Sequence, residues 1–166
     1  MNSIFTRRSI RKYEDTPVEE EKIKRLLGAA MSAPTARNQR EWEFIVVTDR
    51  EIRRQLSEVS PYAKPAFAAP LVIVPAADKN RMTSPKYFEQ DLAAATENIL
   101  LEAEEIGLGA VWMGIAPLEE RMRKVSGTLN LPENILPFAL IAVGYPGEIK
   151  KAEDRYEESR VHYNRY

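Results

Sequence analysis

Residues 107–114 read GLGAVWMG, and they join the two kinds of secondary structure from which this chain is built. Upstream, Leu92, Ala95, Ile99, Ala103 and Ile106 recur at helical spacing, which predicts one long helix from about Tyr87 to Ile106. Gly107 is placed to end it. Downstream, AVWMGI has the β-branched and aromatic content of a buried strand. The stretch therefore reads as a helix stop feeding a core strand. Its glycines also let the backbone approach a flat ligand, whose edge could bond to strand N–H and C=O groups. It is not a dinucleotide fingerprint, because GxGxxG fails at Trp112 and the glycines precede a strand instead of following one.

The same alternation extends outward from this point. In TPVEEEKIKRLLGAAMSA, Thr16 is the expected helix cap, Pro17 the first helical residue and Glu19 the partner in a capping box; Ile23, Leu26, Leu27, Ala30 and Met31 form the stripe. EFIVVT (43–48) reads as a strand, followed by a helix capped by Thr48 with Ile52, Leu56 and Val59 inward. APLVIVPAA gives a second strand from Leu71, with Pro75 expected at its end or on a side that donates no ladder bond. A helix-like LEERMRKVSG and a last strand in PFALIAVG complete four strands interleaved with helices. This order predicts one domain, residues 1–166, with an α+β or α/β layer around a single sheet. Ala93 to Ala95 give the long helix one small-residue side, suited to close packing on another helix or on its copy in a dimer. Residues 145–166 are charged and tyrosine-rich without an apolar stripe, so they are either loose or laid across something else.

Composition narrows the chemistry. With 24 Lys+Arg against 25 Asp+Glu the formal charge is −1, which argues against a general grip on nucleic acid. No uninterrupted apolar run suggests a membrane span and MNSIFTRRSI lacks the apolar core of a secretory signal, so a cytoplasmic protein is expected. Cysteine is absent and His162 is the single histidine, which leaves thiol nucleophiles, zinc sites and a serine triad poorly supplied. No metal site and no catalytic acid or base is assigned. An organic cofactor is the economical source of reactivity.

Two further stretches carry polar groups in dense array. In RRSIRKY (7–13), Arg7, Arg8, Ser9 and Arg11 combine guanidinium forks with a hydroxyl; in an extended segment Arg7, Ser9 and Arg11 share a face and could converge on one phosphate. A solvated basic segment is the plainer reading of that motif alone. In SAPTARNQREW (32–42), Pro34 ends a helix, and Thr35, Arg37, Asn38, Gln39 and Arg40 crowd a short loop before a strand. An ordinary connection with Trp42 filling the core is the alternative.

Taken together and in this order, RRSIRKY, APTARNQREW, GLGAVW and GYPGEIKKAEDRY resemble the nitroreductase family of flavin mononucleotide (FMN) enzymes, along nearly the entire chain. The resemblance implies a three-layer α/β/α sandwich around a mixed, mainly antiparallel sheet, in an intertwined homodimer with FMN at the subunit interface. It implies that Arg7, Arg8, Ser9 and Arg11 hold the flavin phosphate and ribityl chain, assisted by Arg155. Pro34, Thr35, Ala36 and Asn38 of the second copy would line the flavin from the other side, and Trp112, Met113 and Gly114 would run along the ring. The tail, 145–166, would wrap the second subunit. The implied activity passes hydride from NADH or NADPH through FMN to a small electron-poor acceptor such as a nitroaromatic or quinone, by a ping-pong scheme. A flavin carrier or redox sensor without turnover is the alternative, and specialised chemistry such as reductive dehalogenation a third.

Three departures from the family pattern stand out. Arg40 and Glu41 replace Gln and Pro before the tryptophan, so Arg40 is either a substituted flavin contact or faces solvent with Glu41. Glu153 stands two residues before Arg155, where a basic residue is usual, which puts a second phosphate contact from the tail in doubt. The stretch between Ala77 and Asp91 is short compared with that of family members that carry a helical lid there, implying a small or accommodating substrate pocket.

Overall fold

The computed structural model describes residues 2–166. One sheet contains β1 (Trp42–Val47), β2 (Leu71–Asp78), β3 (Gly109–Gly114), β4 (Ile135–Pro137) and β5 (Ala139–Gly144), in the order β1-β2-β5-β3 with β4 also paired to β2. Every strand pair is antiparallel. A parallel bridge between Ser9 and Ala110 adds the N-terminal segment to the outer edge of β3. The helices are α1 (Ser3–Thr6), α2 (Glu20–Met31), α3 (Arg50–Leu56), α4 (Pro65–Ala68), α5 (Phe88–Glu105) and α6 (Glu119–Leu129).

Strand alternation sorts the core into two halves. Leu71, Ile73, Ala110, Ile141 and Val143 pack beneath α2 and α5 with Leu26, Ala30, Ala95, Ile99 and Ala103. Val72, Val74, Val111, Met113, Leu140 and Ala142 face the other way, onto Leu56, Ala66 and Val125 of α3, α4 and α6. Three layers result, α2/α5, the sheet, and α3/α4/α6, as the α+β reading requires. Because both faces are covered, Leu71 to Ala77 are buried throughout, which is why β2 reads as a continuous apolar run. Each Leu or Ile so buried contributes about 1.5–3 kcal/mol.

The long helix and its stop form as expected: α5 buries Leu92, Ala95, Ile99 and Ala103, and Gly107 takes φ +77°, a conformation costly for any residue with a Cβ. Elsewhere boundaries move. α2 starts at Glu20 and not at Pro17; Thr16 to Val18 stay outside the helix, and the Glu19 carboxylate accepts the Tyr145 hydroxyl at 2.8 Å instead of closing a capping box. α3 is capped by Asp49, one residue beyond Thr48, its carboxylate accepting the Ile52 N–H at 2.8 Å. Asp49→Ala is expected to cost about 1 kcal/mol in a denaturant melt, the usual price of a lost N-cap.

Pro75 lies inside β2, not at its end. Val74 and Pro75 face three residues, Phe138, Ala139 and Leu140, where β4 gives way to β5. That bulge tolerates a residue without an N–H, and the Phe138 N–H donates to the Pro75 carbonyl at 2.8 Å. The interruption also makes five strands of the expected four.

Candidate functional site

β3 is one edge of the sheet, and the N-terminal segment covers part of it. The Ile10 N–H donates to the Ala110 carbonyl at 3.0 Å, so Ala110 turns its backbone polar groups outward. Strand alternation puts the N–H and C=O of Trp112 and Gly114 on that same edge. Gly114 confirms the series, its carbonyl accepting Arg121 Nη1 at 3.0 Å. Beside this edge lies a cleft of about 550 Å³, lined by Arg11, Tyr62, Lys64, Trp112, Met113, Gly114 and Arg121 among others. Three cationic side chains thus face a strand edge with main-chain donors and acceptors, in a volume usual for small-molecule sites. The Arg121 guanidinium lies 5.9 Å from the Tyr62 ring centroid. Trp112 leans on Phe138, ring centroids 5.6 Å apart, and Met113 is buried.

A second hollow, about 530 Å³, separates Tyr13 to Val18 from α3 and α4. Of its two arginines, Arg53 is committed to the carbonyls of Thr48, Phe67 and Ala69 and Arg50 lies 5.6 Å from the Phe67 ring centroid, while Glu14 and Asp15 add negative charge to the lining, which leaves that hollow less equipped to hold an anion.

The cluster Arg7, Arg8, Ser9 and Arg11 is divided among four tasks. Arg7 reaches α5, with Nε 3.2 Å from the Glu97 carboxylate. Arg8 grips the tail, donating to the carbonyls of Lys151 (2.9 Å) and Glu153 (3.3 Å). Ser9 bridges to β3, and its carbonyl accepts Lys150 Nζ at 2.6 Å. Arg11 lines the cleft. Arg7 and Arg11 therefore do not share a face within the chain: α1 ends at Thr6 against α5, so Arg7 stays on the α5 side, whereas Arg11 has passed to the α4/α6 side. The Arg11 N–H donates to Glu148 at 2.7 Å, and this bond, with Lys150 beside it, holds the Glu148 carboxyl below its usual range. Tyr13 fastens the same segment, its hydroxyl donating to Ile10 O (2.5 Å) with the Ala142 carbonyl also in reach (3.2 Å).

The loop Pro34–Arg40 docks at the start of α5, and none of its residues lines the β3 cleft of the same chain. Ala36 N–H donates to both Asp91 carboxylate oxygens, at 2.9 and 3.0 Å. Thr35 Oγ1 accepts the Arg40 N–H (3.1 Å) and Asn38 Oδ1 accepts Arg40 Nε (2.8 Å), so the exposed Arg40 is used to shape the loop. Arg37, Asn38 and Arg40 all have positive φ, between 48° and 54°. Pro34 is exposed. Glu41 does not accompany Arg40 into solvent; it is fully buried, with Gln39 Nε2 donating to Glu41 Oε1 at 2.9 Å and to Asp91 Oδ2 at 2.8 Å. Burial, with the Asp91 charge adding to it, pushes the Glu41 carboxyl above its usual range. Arg155 lies exposed in the tail, 3.4 Å from Glu153. His162 is exposed beside Tyr166, ring centroids 4.2 Å apart.

Sequence reasoning missed Tyr62, Lys64 and Arg121 in the cleft and Asp91 beneath the loop, and it singled out Gln39 and Glu41 without their burial against Asp91. SPYAKP held a signal for the first pair, since Pro65 opens a helix and presents Lys64 at its cap. Nothing local marked Arg121, which reaches the cleft from α6.

The sequence profile of the nitroreductase family matches residues 4–61 and 59–145. The chain belongs to the nitroreductase family. A relative from Methanothermobacter thermautotrophicus, provisionally named NADH dehydrogenase/NAD(P)H nitroreductase, is 41% identical over 166 residues, covering 100% of this chain and 87% of its own. Among solved structures, a provisionally assigned NADH oxidase from Clostridium acetobutylicum superposes with a TM-score of 0.96 at 50% identity, covering 99% of both chains. An FMN-dependent nitroreductase from Clostridium difficile gives 0.92 at 33% identity, again over 99% of both. The nitroreductase fold is thus established, with the N-terminal segment, β3 and the connecting loop inside the matched regions. Among the described residues, no helix is long and apolar enough to cross a membrane, and no cluster of histidines and acids is arranged to hold a metal.

Proposed function

We propose that this nitroreductase-family chain is an FMN-dependent oxidoreductase that takes hydride from NADH or NADPH and passes it to a small electron-poor acceptor, such as a nitroaromatic or quinone. The observation that carries this reading is the β3 cleft, where main-chain donors and acceptors meet Arg11, Lys64 and Arg121. Those groups fit a flat heterocycle carrying a phosphate. Bound FMN would supply reversible hydride acceptance and donation. The chain's part is to orient and to stabilise charge: Arg11 supplies positive charge, Trp112 and Gly114 supply edge contacts, and the segment anchored by Ile10 and Tyr13 fixes Arg11 in place. No side chain is assigned as acid or base.

The working unit is proposed to be a cytoplasmic homodimer in which each cleft is completed by Pro34, Thr35, Ala36 and Asn38 of a second copy. In support, the single chain exposes Ile4, Phe5, Met31, Tyr156, Tyr163 and Tyr166, and residues 149–166 are exposed throughout. Arg8, Ser9 and Arg155 are assigned to the phosphate and ribityl end, with Arg8 acting through its hold on the tail, whereas Arg7, held by Glu97 on the α5 side, is not assigned to the cleft of its own chain.

The purified protein should be yellow. Anaerobic titration with NADH and then NADPH should bleach the flavin absorbance, and acceptor-dependent consumption of NAD(P)H should follow. Bleaching without acceptor-dependent turnover would instead identify a flavin carrier or sensor.

A further inference from the structure

The pair Glu41 and Asp91 is unlike any other acidic pair in the described structure. Glu41 has no exposure and Asp91 has 6%, yet no Lys or Arg charge faces Glu41. Its sequence neighbour Arg40 is exposed and turned to Asn38, and Asp78 on the adjoining β2 is directed to Asn80, Asn134 and Arg81. Asp91 is the one titratable group whose charge acts on Glu41. Donors are few: Ala36 N–H serves both Asp91 oxygens, Gln39 Nε2 serves Glu41 Oε1 and Asp91 Oδ2, and the Glu41 main-chain N–H acts on its own carboxyl without offsetting its burial. Glu41 Oε2 is left buried without a partner. An ionised oxygen stranded in that way is costly, whereas a proton on it supplies the missing donor, with Asp91 as acceptor.

We infer that Glu41 is a positioning residue held as the carboxylic acid, sharing one proton with Asp91, and that this proton pins the 35–40 loop to α5 and makes FMN retention pH-dependent. The inference rests on the assignment of that loop to the flavin site. Gln39 is the third member: its amide oxygen accepts the N–H groups of Thr83 and Ser84 at 3.0 and 2.9 Å, so the same cluster also fixes the segment leading into α5. The departure from the family pattern at residue 41 thus acquires a role.

The sign follows from a proton bound more tightly in the folded state than in the unfolded chain. Its contribution is complete at acid pH and fades as pH rises above the ordinary glutamate range, through the raised value of Glu41. The yellow protein, diluted and followed by flavin fluorescence, should release FMN more readily with rising pH, the affinity falling by at most about tenfold per pH unit at the steepest point. Glu41→Gln keeps the shape and a donor, and should flatten the dependence. Asp91→Asn, which removes the facing charge, should shift the profile to lower pH. Infrared spectra of wild type on the acid side of this transition should contain a carboxylic-acid C=O band that Glu41→Gln lacks. Absence of that band overturns the shared proton. A band that is present, with FMN release following the same pH profile in wild type and Glu41→Gln, overturns the coupling to the cofactor loop. Should the protein bind no FMN, the flavin reading fails by itself, while the infrared band and the pH slope of thermal stability still decide the proton pair.

Discussion

Arg11→Glu is expected to give a colourless protein whose FMN affinity is lower by about 10²–10³-fold. Arg11 is the member of the N-terminal cluster whose side chain lines the cleft, since Arg7 is drawn to Glu97 and Arg8 to the tail carbonyls. A hydrogen bond between charged groups contributes about 1.5–3 kcal/mol, and charge reversal adds repulsion to its loss, for a total of about 3–4 kcal/mol. The fold should survive. Arg11 is exposed, its side chain holds no core position, and the main-chain N–H that binds Glu148 is unchanged by the substitution. Circular dichroism should therefore match wild type while flavin fluorescence reports release. Arg11→Lys should fall between the two, keeping the charge but losing the planar fork. Full retention of FMN by Arg11→Glu would remove Arg11 from the flavin site.

That result would separate what the sequence displays from what only the folded chain arranges. α5 and β3 were readable because apolar periodicity, a glycine stop and a β-branched run all point the same way over residues 87–114. The core strands were readable for the same reason. Of the two places open to Pro75, the side that donates no ladder bond is the one the fold uses, but it exists only through a bulge formed by Phe138, distant in sequence. The capping box at Thr16 was locally sound, but the tertiary contact between Glu19 and Tyr145 overrode it. The site shows the same division. RRSIRKY announces a cluster of cations, yet period two cannot say that α1 carries Arg7 to one side of the sheet and Arg11 to the other. Glu41 next to Arg40 resembles a surface pair in sequence; its burial depends on Asp91, fifty residues away, and on a glutamine that serves both carboxyls.

The second large effect is expected at Gly109, where the N-terminal segment meets β3. A Cβ built there would stand 2.7 Å from Ile10 Cβ and Cγ2 and 2.8 Å from Cγ1, closer than folded proteins allow. Ile10 has little room to yield, because it is 7% exposed and its β-branched side chain is stiff about χ1. The strain would instead displace the segment, loosening the Ile10 N–H bond to Ala110 and the Ser9 bridge. Gly109→Ala should cost about 1–3 kcal/mol by overpacking and lower Tm by roughly 3–10 °C. Arg11 is the next residue along, so FMN binding should weaken as well, although no flavin contact is altered directly. Adding Ile10→Ala removes the obstructing atoms, and the double variant should be more stable than the sum of the two single losses, a coupling expected of residues in contact. Gly127→Ala on α6 is the control: a Cβ there meets nothing within 4 Å, and the substitution should stabilise the helix by about 0.4–1 kcal/mol while leaving the colour of the protein unchanged. If Gly109→Ala matched Gly127→Ala in both Tm and FMN affinity, the N-terminal segment would not be seated on β3 as described, and Arg11 would lose the anchor that places it in the cleft.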